Sequence, residues 1–197
     1  MTTCEKILRT ALKEFNRRGI EQVSIRDIAA AMGISDGNLR YHFRTRDDLV
    51  VALFRQLADK IGAAIEIDPG TAPDLKLMRN MLQIMLGSFY EYRFMMQDLV
   101  AVMNNHETIR KEFNRLTRER LAIMDMVIKQ LVDLGYLIPE PQRGQYRRLM
   151  ENFLILTHFW INGSRLFYKG KKKDMIPHYT ETIFSLLHPY VKVKRKN

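Results

Sequence analysis

Cysteine is almost missing from this chain: Cys4 stands alone among 197 residues. One thiol excludes an intramolecular disulfide and fits a reducing compartment. Long uncharged stretches are missing too. The longest, Asn152 to Ser164, has 13 residues, against the roughly 20 that a membrane helix needs. Glu5, Lys6 and Arg9 stand where a secretion signal would carry its apolar core, so the chain reads as cytoplasmic with no membrane partner. Without a secretory route, the match of Asn162-Gly163-Ser164 to a glycosylation acceptor is chance. No strand alternation, no repeat of 20–50 residues and no low-complexity segment is present. Enzyme signatures are equally absent: no G-x-G-x-x-G, P-loop, G-x-S-x-G or H-E-x-x-H. His106, His158, His178 and His188 lack a histidine at i+4 or a nearby cysteine, the spacing a metal site needs. The sequence thus points to no catalytic residue, no metal and no cofactor.

What the chain does have is apolar surface and positive charge. Hydrophobic residues make up 46%, enough for one or two compact units, and the net charge is +10. A basic balance suits polyanionic partners. Residues 1–60, however, hold 11 Lys or Arg against 8 Asp or Glu. Much of the excess lies far along the chain, in Lys169, Lys171 to Lys173, Lys192, Lys194, Arg195 and Lys196. A DNA-contact argument must therefore rest on placement, not on total charge.

Placement favours the stretch from Ser24 to Asp48. Ser24, Ser35 and Thr45 are three helix N-cap residues in succession, and Asp27 and Asp48 follow two of them at capping-box distance. Ile25, Ile28, Ala29 and Met32 form an i, i+3, i+4, i+7 face. Gly33 then supplies the left-handed turn that ends a helix. The reading is helix, tight turn, helix, then a third helix starting near Arg46, which matches a DNA-binding helix-turn-helix. Before it, residues 3–18 form an amphipathic helix through Ile7, Leu8, Ala11, Leu12 and Phe15, ended by Gly19. Leu39 and Phe43 face inward with Ile34, and a helix over 46–66 adds Leu49, Val50, Leu53, Phe54 and Leu57 to this small core.

Asp68-Pro69-Gly70-Thr71-Ala72-Pro73 is the clearest break. Beyond it the periodicity predicts helices over about 74–92, 94–104, 106–135, 142–168 and 174–189. The fold class is all-α with about nine helices: a helix-turn-helix DNA-binding domain over 1–63, then a helical effector-binding and dimerisation domain over 64–197.

The residues from Ile7 to Val50 carry a resemblance. The first helix ending F…RG, S-x-R-D-I-A, G-I-S-x-G-x-L-x-Y-H-F and the following T-R-x-x-L look like the N-terminal domain of TetR-family transcriptional regulators. The resemblance covers about a quarter of the chain. It implies a homodimer, two recognition helices in successive major grooves of a near-palindromic DNA operator, and a small-molecule pocket in each C-terminal domain. By the same resemblance, residues 142–168 and 174–189 form the dimer interface, and Tyr41, His42 and Arg46 contact the DNA backbone. Arg40 departs from the aromatic residue common at its position.

The chemistry of the segment agrees. Small Ser35 and Gly37 let a helix N-terminus approach phosphates. Asn38 and Arg40 have the donors and acceptors that read adenine and guanine edges. Tyr41, His42, Arg44 and Arg46 suit phosphate contacts, which position without specifying. Ser24 and Arg26, at the start of the preceding helix, complete the DNA-binding set.

Downstream, methionines and aromatics are abundant. An adaptable apolar pocket with a few polar handles is expected from Met85, Phe89, Tyr92, Met103, Met124, Phe153, His158 and Trp160, although each also fits plain core packing. The function expected is a dimeric, sequence-specific transcriptional repressor released by a small-molecule effector. Two other readings compete with it. One keeps the DNA-binding head and makes the C-terminal domain a protein-interaction module without an effector. The other is an enzyme on a helical scaffold. The helix over 46–66 is the expected lever, as the one element predicted to reach both domains.

Overall fold

The computed structural model describes residues 1–66 and 71–192. The break expected at Asp68-Pro69-Gly70 and the basic run at Lys194, Arg195 and Lys196 lie outside the described residues.

Local sequence explains where the first helices begin and end. The Thr2 hydroxyl accepts from the Glu5 N–H while the Glu5 carboxylate accepts from the Thr2 N–H, closing a capping box at the start of α1 (Thr3–Arg18). Ser24 and Asp27 repeat the arrangement at α2 (Ile25–Met32). Gly33 ends α2 at φ 68°, a conformation that costs glycine nothing. Ser35 accepts from the Asn38 N–H to start α3 (Asp36–His42), and Thr45 and Asp48 exchange bonds at the head of α4 (Arg46–Ile65). All three caps lie where the sequence put them.

Six further α-helices follow: α5 (Leu75–Glu91), α6 (Arg93–Gln97), α7 (Leu99–Asn105), α8 (Glu107–Asp133), α9 (Gln145–Phe167) and α10 (Met175–Phe184). The described residues thus contain ten α-helices where about nine were expected, because the helix predicted over 94–104 breaks at Asp98 into α6 and α7. The last expected helix is also shorter. α10 passes into a 3-10 segment, Ser185–Tyr190, which contains Pro189. An isolated bridge between Leu137 and Val191 is the sole strand-like pairing among the described residues.

The chain divides into two compact units. The first is Met1–Lys60 with Phe89–Glu112; the second is Ile61–Ser88 with Phe113–Asn197. This differs from a single cut at 63/64, since a segment from mid-chain joins the N-terminal helices. The core of the first unit shows why. Ile7, Phe15, Ile28, Leu39, Leu49, Val50 and Leu53 are fully buried, and so are Phe94 and Met95 from α6. The Phe15 and Phe94 rings lie 5.3 Å apart. The Asn16 side chain donates to the Glu91 carbonyl at 2.7 Å and accepts from the Phe94 N–H at 3.1 Å, bridging the backbone between α5 and α6. A three-helix head is thin for its size, and these contacts thicken it. The division passes through α4, α5 and α8, so the 46–66 helix is not alone in reaching both units.

In the second unit, Leu131, Leu137, Leu149, Ile161, Ile183 and Leu187 are buried. Ile123, Leu134, Leu156 and Phe167 are exposed, although they fall on the apolar spacing of α8 and α9. On α9, Ile155, Leu156, Phe159, Leu166 and Phe167 together form an exposed apolar stripe.

Candidate functional site

The α2–α3 hairpin presents the expected DNA-contacting residues unequally. Arg26, Ser35, Gly37, Asn38, Arg40, Tyr41 and Arg44 are exposed. Tyr41 is the extreme case at 85%, an aromatic ring left in water beside the C-terminal turn of α3. No side chain or backbone crowds the Cα of Gly37, so the first turn of α3 can meet a flat surface closely. Ser24 lies at the head of α2, where its hydroxyl is committed to Asp27. That hydroxyl, followed by the Ser24 N–H and then Arg18, pulls the Asp27 carboxyl down to about 2.

Arg40, Arg46 and His42 are likewise engaged within the chain. Arg40 Nε donates to Asp36 Oδ2 at 2.9 Å, and its Nη1 donates to the Arg44 carbonyl at 3.0 Å. It is therefore folded along α3. Arg46 Nη1 donates to the Ile20 carbonyl at 3.2 Å, and Nη2 pairs with Glu21 at 3.3 Å. Arg46 thus clamps the α1–α2 loop to the head of α4. His42 is part-buried, with its ring edge on Tyr41 and its Nδ1 3.4 Å from Cys4 Sγ. Cys4 was left out of the site by sequence reasoning, and nothing local in the sequence signals a contact 38 residues away. Between the start of α2 and the α3–α4 junction lies an open cleft of about 510 Å³, lined in part by Ser24, Arg40, Arg44 and Arg46.

The expected effector residues do not gather in one unit. Phe89, Tyr92 and Met103 belong to the first, whereas Met85, Met124, Phe153, His158 and Trp160 belong to the second. In the first unit, Tyr92 is buried and reaches Gln56 Oε1 at 3.5 Å; burial raises its hydroxyl pKa. In the second, Trp160 is buried with its ring 5.1 Å from that of Tyr179. His158 is buried on α9, its Nδ1 2.7 Å from the Leu154 carbonyl and its ring edge-on to Phe113 at 5.3 Å. Burial lowers the His158 pKa; the Leu154 carbonyl opposes that shift and the Arg120 charge adds to it. The ring is neutral at pH 7, with Nδ1–H the donor to Leu154.

Comparison with known proteins identifies the architecture. Residues 7–53 match the model described as bacterial regulatory proteins, tetR family, and residues 56–197 match that of a bacterial transcriptional repressor, TetR. The chain belongs to the TetR family of transcriptional regulators. It is not an enzyme. Among curated TetR relatives, the transcriptional regulator CymR of Pseudomonas putida is 27% identical over 141 residues, 68% of each chain. The transcriptional repressor KstR2 of Mycolicibacterium smegmatis is 31% identical over 75 residues, so the match spans 37% of either chain. A TetR-family regulator from Marinobacter aquaeolei VT8 superposes with a TM-score of 0.85 at 24% identity, covering 97% of this chain and 92% of that one. AibR, solved in complex with isovaleryl coenzyme A and operator DNA, gives 0.68 at 17% identity, covering 96% and 100%. Likeness at these identities establishes the shared fold. No described helix is long and apolar enough to cross a membrane.

Proposed function

We propose that this TetR-family regulator is a homodimeric repressor that binds a near-palindromic operator and is released by a small-molecule effector. The observation that carries the reading is the capped α2–α3 hairpin with its exposed face of Asn38, Tyr41 and Arg44. Such a face fits a major groove, with Ser35 and Gly37 at the phosphate-facing end of α3 and Ser24, Arg26 and His42 flanking it. Arg40 joins the base-reading set once it leaves Asp36. The apolar stripe of α9 supports a second copy, since an exposed apolar face of that kind is buried by association. Residues 142–168 and 174–189 then form the interface, and the work divides between a DNA-binding 1–63 and an effector-binding, dimerising 64–197. The AibR complex shows that a chain of this fold holds both a ligand and an operator.

An effector releases DNA only by binding the non-DNA-binding state more tightly. The helices able to transmit that preference are α4, α5 and α8, each beginning in one unit and ending in the other. Half-sites are read about 34–36 Å apart, so a tilt of α4 that changes the spacing of two α3 helices weakens binding. Genomic footprinting with the purified protein tests the reading. A protected near-palindrome beside a regulated gene is expected; protection without two-fold symmetry, or none at all, would overturn it.

A further inference from the structure

One face of α8 combines groups that ordinary core packing does not explain. Phe113, Thr117, Arg120 and Met124 recur at i, i+4, i+7 and i+11, which places them in a single stripe. The Phe113 ring packs against buried His158 of α9. The Thr117 hydroxyl oxygen is buried and has no hydrogen-bond partner, although a helical threonine readily bonds the carbonyl one turn back. Arg120 is part-buried. Among the described residues it has neither an ion-pair partner nor a hydrogen bond. Its neighbour Glu119 is committed to Arg115. Burial pulls the guanidinium below its ordinary pKa, with Glu119 opposing, and Arg120 is close enough to His158 to disfavour a second charge there.

A part-buried cation without a counter-ion is costly, and so is a buried hydroxyl without a partner. One acceptor-rich anion removes both costs. The guanidinium fork matches a carboxylate with two parallel bonds, and the threonine hydroxyl supplies a third donor. With His158 neutral, the cluster carries one positive charge, which suits a monoanion better than a dianionic phosphate. Phe113 and Met124 on the same stripe suit an apolar body attached to it.

We propose that Arg120 and Thr117, on the α8 face packed against His158, anchor the carboxylate of an apolar organic acid, and that this acid class is the effector. The assignment of the acid as effector rests on the ligand-released reading above; its binding at Arg120 does not.

The test is therefore run on the full-length protein without DNA. Thermal shift and isothermal titration are recorded with a straight-chain series from acetate to dodecanoate, and with decanol and decyl phosphate as probes of head-group charge. At least one carboxylate is expected to raise the melting temperature, and decanoate to bind at least tenfold more tightly than decanol. Arg120→Met, whose own melting temperature reports its folding, should erase that preference while leaving decanol binding within about twofold. Thr117→Val should weaken decanoate by a smaller factor, roughly three- to tenfold. The proposal is overturned if no carboxylate of the series stabilises the wild-type protein, if decanol binds as well as decanoate, if Arg120→Met keeps the preference, or if decyl phosphate binds tenfold tighter than decanoate. Adding operator DNA separates the two readings. Carboxylate binding through Arg120 without any operator release keeps the site and refutes its role as effector.

Discussion

Replacing Phe159 by Asp should take the dimer apart. Ile155, Leu156, Phe159, Leu166 and Phe167 are 58, 38, 42, 67 and 77% exposed. At roughly 180 Å² per large apolar side chain, the stripe offers about 500 Å² per protomer. That is more than half of the ~800 Å² each partner contributes to a standard interface. Phe159 sits mid-stripe, with about 75 Å² to bury. A two-fold interface counts it twice. At about 25 cal/mol per Å², losing both rings removes about 4 kcal/mol, or roughly a 1,000-fold weakening of dimerisation. Two carboxylates brought into the interface only add to that loss. Sedimentation velocity across a concentration series reads the effect directly. Operator affinity, measured by fluorescence anisotropy, should fall in parallel, because a monomer grips one half-site. Val100→Asp, at an apolar position of α7 that is 61% exposed, should leave the dimer intact. If Phe159→Asp sediments as wild type does, α9 is not the interface and the argument from its stripe fails.

Four smaller perturbations probe the head. Ser24→Ala removes the cap of α2 and should cost about 1 kcal/mol in urea unfolding. Asp27 titrates at about 2 in the folded chain, below its ordinary 3.8. Its stabilising contribution is thus complete above pH 3.8 and is lost as pH falls through about 2; Asp27→Asn should flatten that acid-side decline in melting temperature. Arg46→Ala breaks the clamp to Ile20 and Glu21 and should lower stability by about 1 kcal/mol, which circular dichroism can separate from any change in DNA affinity. Arg40→Ala should relax base preference by about 1–3 kcal/mol at one position per half-site in a binding-site selection; an equal loss on every sequence would show that Arg40 grips phosphate instead.

What the sequence revealed was local. The caps at Ser24, Ser35 and Thr45 and the left-handed Gly33 depend on groups within four residues, so periodicity and spacing were enough to place them. Long-range partners were invisible. Nothing around Arg46 marks it as a clamp on Ile20, whereas the Asp36–Arg40 pair, four residues apart on one helix, was there to be read. The break at Asp98 falls inside a continuous apolar pattern and carries no glycine or proline to announce it. Exposed and buried apolar faces also share one periodicity. Leu156 and Trp160 stand one turn apart on α9, yet one faces water and the other the core. Arg120 was legible in principle: it interrupts the apolar stripe of α8, but its lack of a partner is a tertiary fact.

The link through Asn16 bears on anyone who would graft this head onto another body. A hybrid joined at residue 63 would keep α1 but discard Glu91 and Phe94, stranding both ends of the Asn16 amide and exposing the face of Phe15. The head is contiguous in space but not in sequence. A working chimera must carry Phe89–Glu112 along with the first 60 residues, which requires two splice points more than a simple fusion.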